Sequence, residues 1–320
     1  MAKHTTTCDL RYALLFRGQS HHWGCDASSA FLQRLCMHSH HAMITQPLER
    51  QGHCVDVFLA LNPKCKALLP EVQDSGLHGG RVRHMADVQP LSRSQSSNFR
   101  HAINLFWKFA AAQGDTLAPP RERAPSFAAA THHLYDFFIV TRYDVRLLVP
   151  MVPSWACHNN PSSVGTLGIA SRCGSHSYKS YRCTFDTLFV VPRAHWRAFD
   201  TSVGSADQPN SRTARCCFNE MCMAGGVKGT GQACYNVFAK RIAGGGANIS
   251  FCFNPPEHGG SRSPNGPEYQ CCSRGLTNWT RVMEAEVSRD PTAKLGGYEP
   301  SNASFGVRAL VNPRFPGEFH

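Results

Sequence analysis

The chain has 320 residues, and its hydrophobic content of 42% and charged content of 17% are typical of globular proteins. Its formal net charge of +11 favours a polyanionic partner, which can be nucleic acid, an acidic membrane surface or a phosphorylated small molecule. The basic residues are scattered, which argues against a dedicated nucleic-acid-binding arm. No stretch has the roughly 18 consecutive apolar residues of a transmembrane helix, and the first residues lack the apolar core of a signal peptide.

The first part of the chain alternates predicted strands and helices. Residues 10–16 form the first predicted strand, which ends at a turn that contains Gly18 and Gln19. A helix is predicted over about residues 28–37, and a second strand over residues 55–61. Strand, helix and strand within this length form a βαβ unit, whose two strands are parallel.

The clearest helical pattern covers residues 98–113. Phe99, Ile103, Phe106 and Ala110 recur at helical spacing, and Gly114 follows the last turn. This stripe predicts packing in the core and not a functional site. The preceding residues, 62–95, show little pattern.

The stretch from residue 135 to residue 149 organises the prediction. Its continuous apolar run, residues 137–140, is typical of a strand in the middle of a mostly parallel sheet that is covered on both faces. Ligands bind beyond the carboxyl ends of such strands, so Arg142 and Asp144 are predicted to face a ligand crevice. An arginine binds phosphate oxygens, and a carboxylate can hold a divalent metal. A surface ion pair between the two residues is the alternative.

Beyond residue 150 the chain becomes rich in proline, serine, glycine and asparagine, which predicts long loops. Further elements are expected within this region and near the end of the chain. They are strands over residues 184–193 and 248–253, a short helix over residues 194–199 and an edge strand over residues 305–311.

Cysteine and histidine are abundant, with 15 and 17 residues. No Cys-x-x-Cys pair occurs, so a classical zinc site has little support. Buried thiols or disulfides are the favoured interpretation, and the nearest zinc candidate is the cluster Cys216, Cys217, Cys222 and Cys234. The histidines at positions 38, 40 and 41 are predicted to lie on the surface, since no carboxylate accompanies them at a recognisable spacing.

Six short segments can be compared with known families. They are LLFRGQ (residues 14–19), PLE (47–49), VDVFL (55–59), YDFFIVTRYD (135–144), DTLFVVPR (186–193) and CYNVF (234–238). Together they resemble glycosyltransferase-like proteins of algal and protist type. The resemblance implies a nucleotide-diphospho-sugar transferase of the GT-A type. The implied fold is α/β, with a Rossmann-like, mostly parallel sheet flanked by helices and a loop-rich C-terminal part.

In GT-A proteins a strand ends in an Asp-x-Asp motif, which holds Mn²⁺ or Mg²⁺ against the diphosphate of the donor. The resemblance makes Asp144 the metal ligand, but Arg146 stands where the second acid is expected, which puts metal dependence in doubt. Arg142 and Arg146 are then expected to bind the nucleotide diphosphate in place of part of the metal. Gly18 and Gln19 would also lie near the nucleotide.

Transfer to an acceptor hydroxyl also needs a group that takes the proton of that hydroxyl. Asp186, at the start of a later predicted strand, is the candidate for this catalytic role. A structural role in the turn before the strand is the alternative.

The expected domain covers residues 10–253, with a nucleotide-binding half of about residues 10–149 and an acceptor-side half of about residues 150–253. Residues 254–320 are expected to form an irregular tail. The expected partners are a nucleotide-sugar donor and a glycan, protein or lipid acceptor, with no nucleic acid. The alternatives are a non-catalytic nucleotide- or glycan-binding member of the same fold, and a basic RNA- or phospholipid-associated protein. The sequence as written predicts a soluble chain, or a Golgi or secretory lumenal one if an N-terminal anchor is missing from it.

Overall fold

A computed structural model of the protein describes residues 8–20, 25, 27–63, 78, 80–87, 95–115, 133–158, 165–170, 187–204, 248–253, 256–257, 260–263 and 266–271. The strands are β1 (Arg11–Arg17), β2 (Gln19–Ser20), β3 (Cys54–Pro63), β4 (Val82–Asp87), β5 (Phe137–Arg142), β6 (Val145–Leu147), β7 (Thr166–Ile169), β8 (Leu188–Pro192), β9 (Asn248–Phe251), β10 (Pro256–Glu257), β11 (Gly260–Ser263) and β12 (Gly266–Cys271). The helices are α1 (Ala27–His40), α2 (Gln46–Arg50), α3 (Gln95–Ala112), α4 (Met151–Ser154) and α5 (Arg193–Gly204), with a π-helix over His41–Thr45.

The main sheet has eight strands. Seven of them follow the order β2-β3-β1-β5-β8-β7-β9, and β4 also pairs with β3. Strand β8 is antiparallel to both of its neighbours, and every other pairing in this sheet is parallel. The predicted fold class, a mostly parallel α/β sheet flanked by helices, is therefore confirmed.

Two hydrophobic cores cover the two faces of this sheet. Successive side chains of a strand point to opposite faces, so β1 contributes Tyr12, Leu14 and Phe16 to one core, and Ala13 and Leu15 to the other. The first core packs against α1, the π-helix and α2, and the second packs against α3 and α5. The predicted stripe of α3 is confirmed, because all four of its residues are buried in the second core: Phe99, Ile103, Phe106 and Ala110.

Strand β5 lies between β1 and β8, and it is buried along its length up to Thr141. Phe137 and Ile139 join the first core, and Phe138 and Val140 join the second. The prediction of a central strand that is covered on both faces is confirmed. Its neighbour β1 is parallel to it, so the carboxyl ends of β1 and β5 meet at one edge of the sheet.

Strand β4 was not predicted. It pairs in parallel with β3, and its residues Arg83, Met85 and Ala86 are exposed. A strand that contributes so little to the core lacks the apolar pattern by which strands are found in a sequence. The predicted βαβ unit of β1, α1 and β3 is present as expected.

The prediction of an irregular tail from residue 254 onward needs correction. Strands β10, β11 and β12 form a second, antiparallel sheet, and β12 pairs with β6. Residues up to Cys271 are thus joined to the domain by backbone hydrogen bonds. The sequence did contain a hairpin signal here, the dipeptide Asn265-Gly266, whose glycine is the first residue of β12.

Some predictions fall outside the described residues. They concern the cysteine cluster at positions 216–234 and the edge strand at residues 305–311. Within the described part of the chain, no helix combines the length and the apolar character that a membrane crossing requires.

Two disulfides connect described residues, Cys8 with Cys54 and Cys157 with Cys252. The second bridge closes a separation of 95 residues and ties the segment after α4 to the residues that follow β9. The Cys157 sulfur packs so closely on Gly168 that a Cβ there would lie 2.9 Å from it. This bridge therefore holds the β7–β9 end of the sheet to the first core.

We predict that Cys157→Ala/Cys252→Ala lowers the free energy of unfolding by about 2–5 kcal/mol, because a bridge over a long loop restricts the unfolded chain strongly. The measurement is denaturant unfolding under oxidising conditions. Cys36→Ala is the control, since Cys36 is buried as a thiol and its truncation removes packing but no bridge. An equal loss in control and double variant would contradict the role given to the bridge.

Candidate functional site

The candidate site lies at the carboxyl ends of β1 and β5. Arg17 and Arg142 are the last residues of these two strands, and they stand directly opposite each other in the register. The side chain of Arg17 is turned inward, with 1% of the residue exposed, and its guanidinium carbon lies 3.5 Å from the centroid of the Phe99 ring on α3. A guanidinium stacks on an aromatic face in this way through a cation–π interaction. Sequence reasoning treated Arg17 only as part of a turn.

Gly18 follows Arg17 and has φ +93°, a conformation that residues with a Cβ rarely adopt. A Cβ built on Gly18 would meet no atom within 4 Å, so only the backbone conformation demands glycine there. The turn leads into β2, where Gln19 pairs with Asn62 of β3. Both predicted residues, Gly18 and Gln19, therefore lie at the expected edge of the sheet.

Arg142 and Asp144 form a bidentate ion pair across a two-residue turn. The Arg142 Nε donates to Asp144 Oδ1 at 2.7 Å, and Arg142 Nη2 donates to Asp144 Oδ2. The side chains are 19% and 5% exposed. The pair is thus largely withdrawn from water. In such a position a charge-assisted contact through two hydrogen bonds is strong and geometrically specific.

The donor set here does not fit a divalent metal. Both carboxylate oxygens of Asp144 accept hydrogen bonds from Arg142, and residue 146 is an arginine. Among the residues that the structure describes, no group of three or more histidine, cysteine, aspartate or glutamate side chains is arranged to hold a metal ion. The positive charge at this edge comes from guanidinium groups.

Arg146 lies on β6, opposite Gln270 of β12 in the smaller sheet, and 4% of the residue is exposed. Its neighbours Val145 and Leu147 pack in the first core, so Arg146 lies on the other side of the strand. Arg146 is therefore separated from Arg142 by the turn and belongs to a different sheet. Asp186, the candidate base, lies outside the described residues.

A buried hydrogen-bonded chain crosses the sheet edge on the side of the first core. His40 Nδ1 lies 2.7 Å from the Cys36 carbonyl oxygen, and His40 Nε2 lies 3.3 Å from Thr141 Oγ1. The Thr141 hydroxyl donates to the Thr187 carbonyl oxygen at 3.2 Å. This chain links α1, β5 and the start of β8 at the level of the arginines.

The prediction of surface histidines is wrong for His40 and His41, which are both buried. Burial lowers the pKa of His40 to about 4, against the opposing effects of the Cys36 carbonyl and the Asp144 charge. The ring is neutral at physiological pH, and we infer that Nδ1 carries the proton because it faces the Cys36 carbonyl oxygen. Nε2 then has no proton, and the single hydroxyl proton of Thr141 is shared between His40 Nε2 and the Thr187 carbonyl oxygen. Helical spacing from Cys36 to His40 was the available signal, but it does not reveal burial.

Thr187 is a second residue that sequence reasoning missed. The last register pair of β5 and β8 is Thr141 with Leu188, so Arg142 and Thr187 stand one step further out. Thr187 is 1% exposed, and its hydroxyl oxygen makes no hydrogen bond in the structure. A buried hydroxyl without a partner is costly. Three polar residues thus lie in a row across three neighbouring strands at one edge: Arg17, Arg142 and Thr187.

Comparison with solved structures finds galactosyltransferases at low similarity. The galactosyltransferase LgtC, in complex with donor and acceptor sugar analogues, is 13% identical, with 77% of this chain and 73% of that chain covered and a TM-score of 0.38. The catalytic domain of Drosophila beta1,4-galactosyltransferase 7, in complex with xylobiose, is 15% identical, with 76% and 65% covered and a TM-score of 0.33. A mutant of the same Drosophila protein, in complex with manganese, UDP-Gal and xylobiose, is 14% identical with a TM-score of 0.32. No protein-family model and no curated protein sequence matches the chain. Nothing about the site or the reaction follows from similarity at this level.

We predict a strong energetic coupling between Arg142 and Asp144. A double-mutant cycle with Arg142→Gln and Asp144→Asn should give about 1–3 kcal/mol in the free energy of unfolding, because each single change leaves a buried charge without its partner. The control cycle uses Arg83→Gln and Asp56→Asn, a 2.6 Å pair in which the arginine side chain is 54% exposed. That pair should couple by less than about 1 kcal/mol. Equal coupling in the two cycles would refute the assignment of a buried, organising ion pair.

We predict that His40 makes the fold sensitive to acid. Its pKa is about 4 when folded and 6.5 as a free side chain, so between these values the unfolded chain binds the proton more readily. The free energy of unfolding should fall as pH drops below about 6.5, by about 2 kcal/mol between pH 7.5 and 5 from this residue alone. Denaturant unfolding of His40→Gln should show a correspondingly smaller fall. His133→Gln, which changes an exposed histidine, controls for the substitution, and an unchanged fall in His40→Gln would disprove the prediction.

Proposed function

We propose that this protein binds a nucleotide-diphosphate sugar at the carboxyl edge of β1 and β5 and transfers the sugar to an acceptor hydroxyl. The observation that carries this proposal is the meeting of a positive-φ glycine turn with two arginines at the ends of the two central parallel strands. Ligands of open α/β sheets bind at such edges. The acceptor would be a glycan, a protein or a lipid.

The positions of the resembling segments also support the proposal. Four of the six segments fall on strands of the main sheet, namely β1, β3, β5 and β8. The segments on β1, β5 and β8 carry the polar residues of the edge. The resemblance to GT-A proteins thus concerns residues that lie together in the fold, although they are far apart in the sequence.

The chemistry of sugar transfer requires a cation beside the leaving diphosphate and a base beside the acceptor hydroxyl. Arg142, held by Asp144, supplies positive charge at the strand end. Arg146 would add charge from β6, and Gly18 and Gln19 would let the nucleotide approach the backbone closely. We propose Asp186 as the base, since it immediately precedes Thr187, which stands beside Arg142 in the register.

The proposed division of labour gives the donor to residues 10–149 and the acceptor to residues 150–253. Two disulfides among the described residues favour an oxidising compartment, because such bridges are rare in reducing ones. We therefore propose a lumenal or extracellular location for the folded protein.

A non-catalytic role in nucleotide or glycan binding is the second candidate. The observation that favours it is the bidentate contact of Asp144 with Arg142, together with an arginine at position 146. Such a protein would bind the donor without consuming it. Measurement of donor consumption separates the two candidates.

We predict that a nucleoside diphosphate or its sugar conjugate raises the melting temperature. The experiment titrates UDP, GDP and their common sugar conjugates, with and without Mn²⁺; a ligand at 100 times its Kd adds about 2.7 kcal/mol of stability. The ligand that stabilises is then used in a transfer assay. Asp186→Asn should keep the stabilisation by donor and lose the transfer of sugar.

The position of the ligand is tested with a matched pair of glycine variants. Gly18→Ala adds a methyl group into open space but strains a positive-φ turn, and should abolish the stabilisation. Gly165→Ala also adds a methyl group into open space, without a left-handed φ, and should preserve it. No stabilisation by any nucleotide would refute the proposed function. Binding that falls steeply with salt and shows no preference for sugar nucleotides would instead favour an RNA- or phospholipid-associated protein.

A further inference from the structure

The row of Arg17, Arg142 and Thr187 has the chemistry of an oxyanion site. It crosses three neighbouring strands at one edge, with the two arginines opposite each other on β1 and β5 and Thr187 beside Arg142 at the start of β8. Guanidinium N–H groups and a hydroxyl are donors that bind phosphate oxygens.

We infer that Arg17, Arg142 and Thr187 bind the diphosphate of the ligand directly, without a divalent metal, and that Asp144 is a positioning residue for Arg142. This inference rests on the proposed function for the identity of the ligand. It extends that function by replacing the expected metal-bound diphosphate with one that is bound by guanidinium and hydroxyl groups.

The geometry gives each group a defined role. The Phe99 ring covers the face of the Arg17 guanidinium, and the N–H groups of a guanidinium lie in its plane, where phosphate oxygens bind. Asp144 fixes Arg142 through Nε and Nη2, which sets the orientation of the guanidinium plane. The Thr187 hydroxyl, buried and without a hydrogen bond, would donate to a phosphate oxygen.

Asp144 explains why a metal is not needed at this edge. A metal ligand must offer a carboxylate lone pair to the ion, whereas both oxygens of Asp144 face the fork of Arg142. An arginine at position 146, where the second acid is expected, also leaves the motif without the carboxylate that would complete a metal site. The charge that a divalent metal would bring is supplied by side chains of the fold.

The test is a calorimetric titration of the full chain with inorganic pyrophosphate, UDP and uridine, at fixed ionic strength, in EDTA and in Mg²⁺. We expect pyrophosphate and UDP each to bind equally well in EDTA and in Mg²⁺. Thr187→Val should weaken the binding of pyrophosphate and of UDP by about tenfold, the effect of one hydrogen bond to a charged group. Uridine, which has no phosphate, should bind the variant and the parent equally.

Thr141→Val is the matched control, because it removes a hydroxyl from the adjacent strand that already donates to the Thr187 carbonyl. It should lower the melting temperature and leave pyrophosphate affinity unchanged. Thr187→Val should instead weaken pyrophosphate binding without lowering the melting temperature, since it removes a buried hydroxyl that has no partner in the free protein. A loss of pyrophosphate affinity in Thr141→Val alone would overturn the inference.

The role of Asp144 has a readout of its own. If Asp144 positions Arg142, Asp144→Asn changes pyrophosphate affinity by the same factor in EDTA and in Mg²⁺. A change confined to Mg²⁺ would identify Asp144 as a metal ligand and overturn the inference.

The two proposals can fail separately. Sugar transfer that needs Mn²⁺ and is unaffected by Thr187→Val would overturn the metal-free diphosphate site and leave the proposed function standing. Pyrophosphate binding that depends on Thr187, with no sugar nucleotide bound or consumed, would support the oxyanion site and refute the proposed function.

Discussion

The position at which β5 leaves the core sets the geometry of the candidate site. This strand is buried on both faces, with β1 on one side and β8 on the other, so its register with each neighbour is fixed by two cores at once. A shift by one residue would exchange every side chain between the cores. Arg142 therefore lies opposite Arg17 on one side and beside Thr187 on the other as a consequence of packing far from the edge.

The same alternation separates neutral from charged groups at the edge. Thr141 follows Phe137 and Ile139 on the face of the first core, where it meets His40, whose pKa burial lowers to about 4. Arg142 follows Phe138 and Val140 toward the second core and α3. The His40–Thr141 contact thus lies on the face of the first core, and Arg17 stacks on Phe99 on the face of α3. In the proposed site, an anionic ligand would meet guanidinium N–H groups on the α3 face.

Much of this arrangement could be predicted from the sequence, because it depends on long apolar patterns. The run at residues 137–140, the stripe of α3 and the first βαβ unit follow from burial and periodicity, which are local properties. Strand β4 and the β10–β12 sheet were not found in that way. In β4, the residues Arg83, Met85 and Ala86 are exposed, so the strand has no apolar alternation. Their formation depends on backbone pairing with β3 and β6, which a sequence pattern does not encode.

The chemistry of the edge was harder to predict than its position. The interval of two residues between Arg142 and Asp144 suits a surface pair and a metal motif equally well. The bidentate contact, in which the side chains are 19% and 5% exposed, decides between them. Arg17 gains its significance from its register with Arg142, although the two residues are far apart in the sequence. Thr187 gains its significance from its place beside Arg142 in the register of β5 and β8. Such neighbours come from tertiary structure alone.

The pairing of Arg142 with Asp144 and the arginine at position 146 have a common physical meaning. Where an acidic motif holds a metal, two carboxylates concentrate negative charge that a divalent cation then reverses. In this chain one carboxylate is already neutralised by an arginine, and the second is replaced by another arginine. Both features remove the acidic pair that would hold a cation. In the proposed site, preorganised guanidinium groups would stabilise the diphosphate, and no metal would have to be loaded before the ligand binds.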